Sequence, residues 1–175
     1  MFLIWLIVIA FFIGAIYFFY KIIHDSILKA SEQHTNKIKF NAYKHSAMKH
    51  ISGLPFPRNS SVEIYYNENE IYFLKDKQEI SIRLEKIISM DVCTGKNLKS
   101  EITSGAIAGS LLIGGTTGAI LGSIMATTVY FVIVYKSNNE TKSLIFDTAL
   151  SGTFSNSLIK MFKSKKDQKN IRIEL

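Results

Sequence analysis

Val62 to Glu85 reads VEIYYNENEIYFLKDKQEISIRLE, and its pattern of side chains limits the kind of structure that the chain can form. Three runs alternate apolar with polar residues, and two polar segments, Asn67–Asn69 and Asp76–Lys77, separate the runs. Alternation sends successive side chains to opposite faces of a β-strand, and short polar segments form tight turns between strands. We therefore predict a three-stranded antiparallel meander.

Further elements follow the meander, and they make the expected fold class α+β, mainly β. A helix is predicted where Phe154, Leu158 and Phe162 fall on one face and lysines come late, because cations suit the negative end of a helix dipole. Alternating or continuous apolar runs predict the remaining strands. The predicted elements are strands at Lys86–Cys93, Val129–Lys136, Lys142–Asp147 and 171–175, and a helix at Ser151–Lys166.

The first twenty residues, MFLIWLIVIAFFIGAIYFFY, carry no charged side chain. A helix of this length spans roughly 30 Å, which is one hydrocarbon core. Aromatic residues and a following lysine are typical of a membrane interface, and the expected anchoring residues are Trp5, Tyr17, Tyr20 and Lys21. A cleaved signal peptide fits less well, because the segment lacks a basic n-region and its apolar run is too long. We expect residues 1–20 to be an uncleaved transmembrane anchor.

The charge of +7 is concentrated in two flanks, residues 21–50 and 160–175, which surround a nearly neutral middle. The positive-inside rule therefore predicts a single-pass protein of the cell membrane with its N-terminus outside and its C-terminal domain in the cytoplasm. Basic flanks beside an anchor suit an anionic leaflet, and the expected membrane-surface lysines are Lys160, Lys163, Lys165 and Lys166. Lysines greatly outnumber the three arginines, so we expect no nucleic-acid partner.

Residues 21–52 are lysine-rich, and they contain apolar residues at helical spacing. We predict a basic helical stalk there, ending before the GLPFP segment at Gly53–Pro57, which marks the start of a domain at residues 53–175. All four histidines lie in the stalk, at His24, His34, His45 and His50. Their spacing places no two on one helical turn, so we expect solvated histidines and no metal site.

The segment 104–128 is uncharged and rich in glycine. Small residues recur at every fourth position, at Ala106, Ser110, Gly114, Gly118, Gly122 and Ala126. On a helix they form a flat stripe that lets two backbones approach closely, so we expect a helix-packing face. The segment fits either a second membrane span or a helical hairpin folded at 114–117. We favour the hairpin, because a span would place the strands on either side of the segment in different compartments. A phosphate-binding loop fits poorly, since no phosphate-loop motif occurs.

Four segments resemble the bacterial PH-like (pleckstrin-homology-like, GRAM-like) domains. They are GLP at 53–55, VEIYYNENEIYFL at 62–74, ISIRLEKIISMDV at 80–92 and VYFVIVY at 129–135, the last of which follows the Gly-rich segment. The resemblance implies an antiparallel sandwich or partly open barrel with a C-terminal helix, and a binding or scaffolding module without catalytic residues. Tyr65, Asn67, Glu68 and Glu70 form no dense basic pocket, so a phosphoinositide headgroup is not the expected ligand.

No motif of a nucleophilic, metallohydrolase or dithiol enzyme occurs, and the one cysteine, Cys93, lies in an apolar strand context. We expect no catalysis, no cofactor and no small-molecule substrate. The leading hypothesis is a membrane-anchored, cytoplasm-facing PH-like module that binds lipid or protein. The alternative is a small membrane protein, such as a pore, stress or phage-type factor, that self-associates through its glycine stripe.

Overall fold

The computed structural model describes residues 2–103, 124–138, 140–148 and 151–171. The chain divides into two compact units, Met1–Lys39 and Phe40–Leu175. The first unit is one helix, and the second contains every strand that the structure describes.

The first unit is helix α1, Phe2–Lys39, which runs without interruption for 38 residues. It contains no proline, and its one glycine, Gly14, causes no break. The part Phe11–Lys39, with a mean hydropathy of 1.4, is long and apolar enough to cross a membrane by length and composition. No other described helix meets that test. The predicted anchor and the first part of the predicted stalk are therefore one continuous helix.

The predicted helical stalk is wrong for its last part, because Lys44–Ser52 forms strand β1. The helical spacing of Phe40, Tyr43 and Ala47 had suggested a helix there. Strand β1 instead pairs with a strand on each side, and this ladder outweighs local propensity. The second unit therefore begins at Phe40 and not at Gly53.

The second unit is organised around one seven-stranded sheet in which every neighbouring pair is antiparallel. The strands after β1 are β2 Ser61–Tyr66, β3 Glu70–Lys75, β4 Gln78–Arg83, β5 Ile87–Thr94, β6 Val129–Ser137 and β7 Glu140–Asp147. Their spatial order is β4-β3-β2-β1-β7-β6-β5. The predicted meander β2–β3–β4 and the predicted strands at β5, β6 and β7 are confirmed.

Strands β4 and β5 lie at opposite edges of the sheet, yet only Leu84–Lys86, a single 3-10 turn, connects them. Six strand spacings would separate the edges of a flat sheet by roughly 29 Å. The short connection spans at most about 14 Å. The sheet must therefore curl, and its inner face surrounds a single core to which every strand contributes.

Helix α3, Gly152–Ile171, confirms the predicted amphipathic helix and extends it. Phe154, Leu158 and Phe162 are buried in the core inside the curled sheet. The predicted final strand is wrong at Ile171, which ends α3, and its other residues lie outside the described part of the chain.

A second apolar cluster covers the outer face of the sheet. Helix α2, Gly95–Thr103, which the sequence did not predict, follows β5 directly. It places Leu98 against Ile124, Tyr130 and Ile145, and all four side chains are buried. The outer face of β5, β6 and β7 is thus also closed to solvent where α2 lies on it.

Candidate functional site

An open cleft of about 310 Å³ lies at the end of the curled sheet where β1 begins. Three parts of the second unit form it: the residue before β1, the β2–β3 turn and the C-terminal half of α3. The residue before β1 is Tyr43, the turn contributes Glu68, and α3 contributes Met161, Ser164 and Lys165. The cleft therefore combines a carboxylate, an ammonium group, two hydroxyls and a thioether within one depression.

Hydrogen bonds within the β2–β3 turn determine where Glu68 lies. The Asn67 side-chain oxygen accepts from the backbone N–H groups of Asn69 at 2.8 Å and Glu70 at 3.0 Å. The Asn67 amide group in turn donates to the Phe40 carbonyl at 2.8 Å. An asparagine that bonds to backbone groups two and three residues ahead stabilises a tight turn. The turn is thus held in shape and attached to the segment before β1.

The polar groups of the cleft contact one another. The Tyr43 hydroxyl donates to the Glu68 carboxylate, and this contact raises the pKa of Tyr43, since ionisation would remove the donor and set two negative charges together. Lys165 donates to the Glu68 backbone carbonyl and to the Asn69 side chain, the latter at 3.3 Å. The rim of the cleft is therefore an ordered set of donors and acceptors, and charges of both signs lie on it.

A second polar set lies near the cleft and joins α3 to the sheet. Lys44 donates to the Ser157 hydroxyl at 3.1 Å, and the Tyr66 hydroxyl lies 3.1 Å from the same oxygen. Ser157, Met161 and Ser164 follow one another at spacings of four and three, so they share one face of α3. That face forms the helical wall of the cleft.

Of the cleft residues, Lys165 is the one for which the sequence predicts a site role, and the predicted role is at the membrane surface. Lys160, Lys163, Lys165 and Lys166 are all exposed on α3, as a membrane-surface role requires. Lys165, however, reaches the β2–β3 turn of its own chain, whereas Lys160, Lys163 and Lys166 lie elsewhere on the helix circumference. Tyr43 and Glu68 were missed as a pair, because they are 25 positions apart and only the β1–β2 pairing brings them together.

The expected anchoring residues lie within the described part of the chain, and so does one member of the expected small-residue stripe. Trp5, Tyr17, Tyr20 and Lys21 lie on α1 and are exposed, as anchoring residues would be. Ala126, a member of the predicted small-residue stripe, lies in an exposed turn and not in a helix. The predicted helix-packing role is therefore wrong for this residue. Ala106, Ser110, Gly114, Gly118 and Gly122 lie outside the described residues.

The chain leaves the sheet after β5 and returns before β6 at the same point. The Gly95 N–H donates to the Thr128 carbonyl at 2.8 Å, and the Lys96 N–H donates to the Ala126 carbonyl at 3.2 Å. A Cβ atom on Gly95 would lie 2.0 Å from the Met125 carbonyl oxygen, so only glycine allows this approach. The two ends of the segment that connects β5 to β6 are therefore held together at the sheet.

The prediction of four solvated histidines is wrong for His50, which is 2% exposed. Its Nε2 accepts from the buried Leu54 N–H at 3.1 Å, so Nδ1 carries the proton and faces the Pro57 carbonyl at 3.4 Å. Burial lowers the pKa of His50. His24 and His34 are exposed on α1, and His45 stacks on Tyr65. Among the residues searched in the described part, no group of three metal-ligating side chains comes together.

Comparison with known proteins adds no relative, since no protein-family model and no curated protein matches the sequence.

Proposed function

We propose that this protein is a membrane-anchored module that binds or scaffolds a partner through a PH-like domain facing the cytoplasm, and that it catalyses no reaction. The observation that carries the proposal is the joining of a helix of membrane-spanning length to a compact sheet unit with its own buried core. The helix would hold the unit at the bilayer, and the unit would present the binding surface.

Three features support a PH-like identity for the second unit. The strands form one antiparallel sheet whose two edge strands, β4 and β5, are joined by only three residues. The sheet curls around one core. An amphipathic C-terminal helix then completes that core with Phe154, Leu158 and Phe162. The resemblance implies a partly open barrel with a C-terminal helix, and the curled sheet and α3 support that proposal.

The cleft between β1, the β2–β3 turn and α3 is the proposed binding site. Its rim carries Glu68 and Lys165 together with the hydroxyls of Tyr43 and Ser164. A site that recognises only phosphate would concentrate cations, whereas this one mixes carboxylate, ammonium and hydroxyl groups. Such a mixture suits the backbone and side chains of a protein segment. The exposed Lys160, Lys163 and Lys166 would meanwhile face anionic lipid.

The Gly-rich segment is attached to the sheet unit on both sides, because Leu98, which precedes it, and Ile124, in its last part, pack in the same buried cluster. A helix that spans the bilayer separates its ends by about 30 Å. The shared cluster therefore supports a topology in which the chain before and after the segment lies on one side of the membrane.

Topology is tested by thiol labelling of intact cells. On a Cys93→Ala background, Lys163→Cys should react with a membrane-impermeant reagent only after the membrane is opened. A cysteine added before Met1 should react in intact cells and serves as the control. Labelling of Lys163→Cys in intact cells would contradict the proposed orientation.

Binding at the cleft is tested by placing a photo-crosslinking amino acid at Tyr43 in the intact, membrane-embedded chain. A discrete crosslinked product should form there and should be lost on adding Glu68→Ala. The control position is Lys77, an exposed residue in the β3–β4 turn. The same products from both positions would show that the cleft has no selective partner.

A further inference from the structure

Helix α1 carries an apolar seam that continues beyond the segment expected to lie in the membrane. We define the α1 seam as Ile13, Ile16, Tyr20, Ile23, Ile27 and Ala30, spaced alternately by three and four residues. The same spacing extends upstream in the sequence through Phe2, Leu6 and Ile9. Residues 1–20 are all apolar, aromatic or glycine, so the spacing defines a face only after Lys21, where Ile23, Ile27 and Ala30 keep it. Apolar residues at this spacing are typical of a helix that pairs with another helix.

The seam is exposed in the single chain. Ile23 and Ile27 are 58% and 63% exposed, and they lie among the charged residues that follow the uncharged segment 1–20. Tyr20, at the junction of the two parts, is 65% exposed. Apolar side chains gain free energy when they leave water, so this part of α1 has an unused interaction surface.

Between Tyr20 and Glu32, charge is excluded from the seam side of α1. At 3.6 residues per turn, the seam from Tyr20 to Ala30 covers an arc of about 80°. Lys21, Asp25, Lys29 and Glu32 cover a similar arc centred on the opposite side of the helix. The side chains that flank the seam in this part include Ser26 and Ser31, which are uncharged. A partner can therefore approach the seam without meeting a charge.

We propose that α1 pairs through this seam with α1 of a second copy of the chain, in parallel and in register. Copies anchored by the same helix enter the bilayer in the same orientation, so their seams lie at the same depth. A symmetric pair sets each residue beside its own equivalent, where like charges would repel. The placement of every charge between Lys21 and Glu32 on the far side removes that repulsion.

The length of the seam sets the area that a pair would bury. Five large seam side chains, Ile13 to Ile27, contribute roughly 80 Å² each, so two helices would together bury roughly 800 Å². An area of this size is typical of a small, reversible interface. His34 continues the spacing after Ala30, and a polar side chain at a seam position fixes register. This self-association goes beyond the proposed function and does not depend on the cleft.

The first test is disulfide crosslinking of the intact chain in isolated membranes, on a Cys93→Ala background. Ile27→Cys lies in the seam, and its neighbour Leu28→Cys lies about 100° away and is comparably exposed. Mild oxidation should link Ile27→Cys into a dimer on the order of tenfold faster than Leu28→Cys, because the two sulfurs must approach closely. Equal rates for the two variants would overturn the proposal.

The second test measures oligomer size of the intact chain in detergent by sedimentation. The unsubstituted protein and Leu28→Lys should be dimers. The dimer of Ile27→Lys should already dissociate at protein concentrations on the order of tenfold higher, or more, than those at which the unsubstituted dimer dissociates. Gly118→Leu separates this interface from the Gly-rich segment and should leave the dimer intact. A monomeric unsubstituted protein, or a dimer lost in Gly118→Leu and retained in Ile27→Lys, would overturn the proposal.

Discussion

Replacing His50 tests whether a buried imidazole stabilises the second unit. His50→Phe keeps a ring in contact with Phe56 and Phe146, whose ring centroids lie 6.3 Å and 5.9 Å from that of His50. It removes the acceptor of the Leu54 N–H, which is buried. The Pro57 carbonyl still accepts from the Ser60 hydroxyl at 2.7 Å, so the donor that loses its acceptor is the Leu54 N–H.

The expected magnitude follows from that one group. An unsatisfied buried N–H costs about 1–3 kcal/mol, so His50→Phe should lower the free energy of unfolding by that amount. His50→Ala adds the loss of ring packing and should lower it by about 2–4 kcal/mol. His24→Ala, an exposed change on α1, should stay within about 0.5 kcal/mol of the unsubstituted protein.

The pH dependence has a definite sign. Burial lowers the pKa of His50 in the folded state, whereas the unfolded imidazole titrates near pH 6.5. The unfolded chain therefore binds the proton more readily, and the contribution of His50 to stability is complete above that pH. It is lost as the pH falls from about 6.5 through the lower folded pKa, with a slope of at most about 1.4 kcal/mol per pH unit.

The assay is urea unfolding of the intact chain in detergent, followed by the circular dichroism of the β-sheet at several pH values. Carboxylates also titrate, so the informative quantity is the difference between the unsubstituted protein and His50→Phe. That difference should be largest at neutral pH and should shrink below pH 6.5. A difference that does not depend on pH, or a loss below about 0.5 kcal/mol at neutral pH, would refute the reasoning.

Three further predictions concern packing and the cleft. Gly95→Ala should lower the free energy of unfolding by about 1–3 kcal/mol, because the new Cβ would lie 2.0 Å from the Met125 carbonyl oxygen. Gly152→Ala, which has open space around its Cβ, should be neutral or stabilising. Equal effects of the two substitutions in urea unfolding would contradict this prediction. Phe73→Ala should lower the free energy of unfolding by about 3–5 kcal/mol, because this fully buried ring stacks on Phe146 with ring centroids 5.6 Å apart. A decrease under about 1 kcal/mol would show that the stack is not part of the core. Lys165→Ala should change the free energy of unfolding by less than about 1 kcal/mol and yet accelerate hydrogen exchange at the Asn69 amide, because Lys165 contacts the β2–β3 turn. Lys163→Ala is the control and should leave that exchange unchanged. Unchanged exchange in Lys165→Ala would show that its contacts do not hold the turn.

Local patterns in the sequence determined most elements of the fold. Alternation placed β2, β3 and β4 within a residue or two of their observed bounds, because one face of each strand is buried and the other is more polar. The uncharged first twenty residues predicted an apolar helix, and the spacing of Phe154, Leu158 and Phe162 predicted α3. In each case the signal lies within a few neighbouring residues, so it can be read without knowing the partners.

Only the tertiary structure decided the remaining features, since each depends on residues far apart in the chain. Lys44–Ser52 has apolar residues at helical spacing and forms β1 because β2 and β7 supply hydrogen-bond partners on both sides. His50 looks like a surface residue in a lysine-rich stretch, and it is buried because the sheet and the Gly53–Pro57 segment close over it. Tyr43, Glu68 and Lys165 carry no shared motif, and they line one cleft because strand pairing and the docking of α3 bring three distant segments to one end of the sheet.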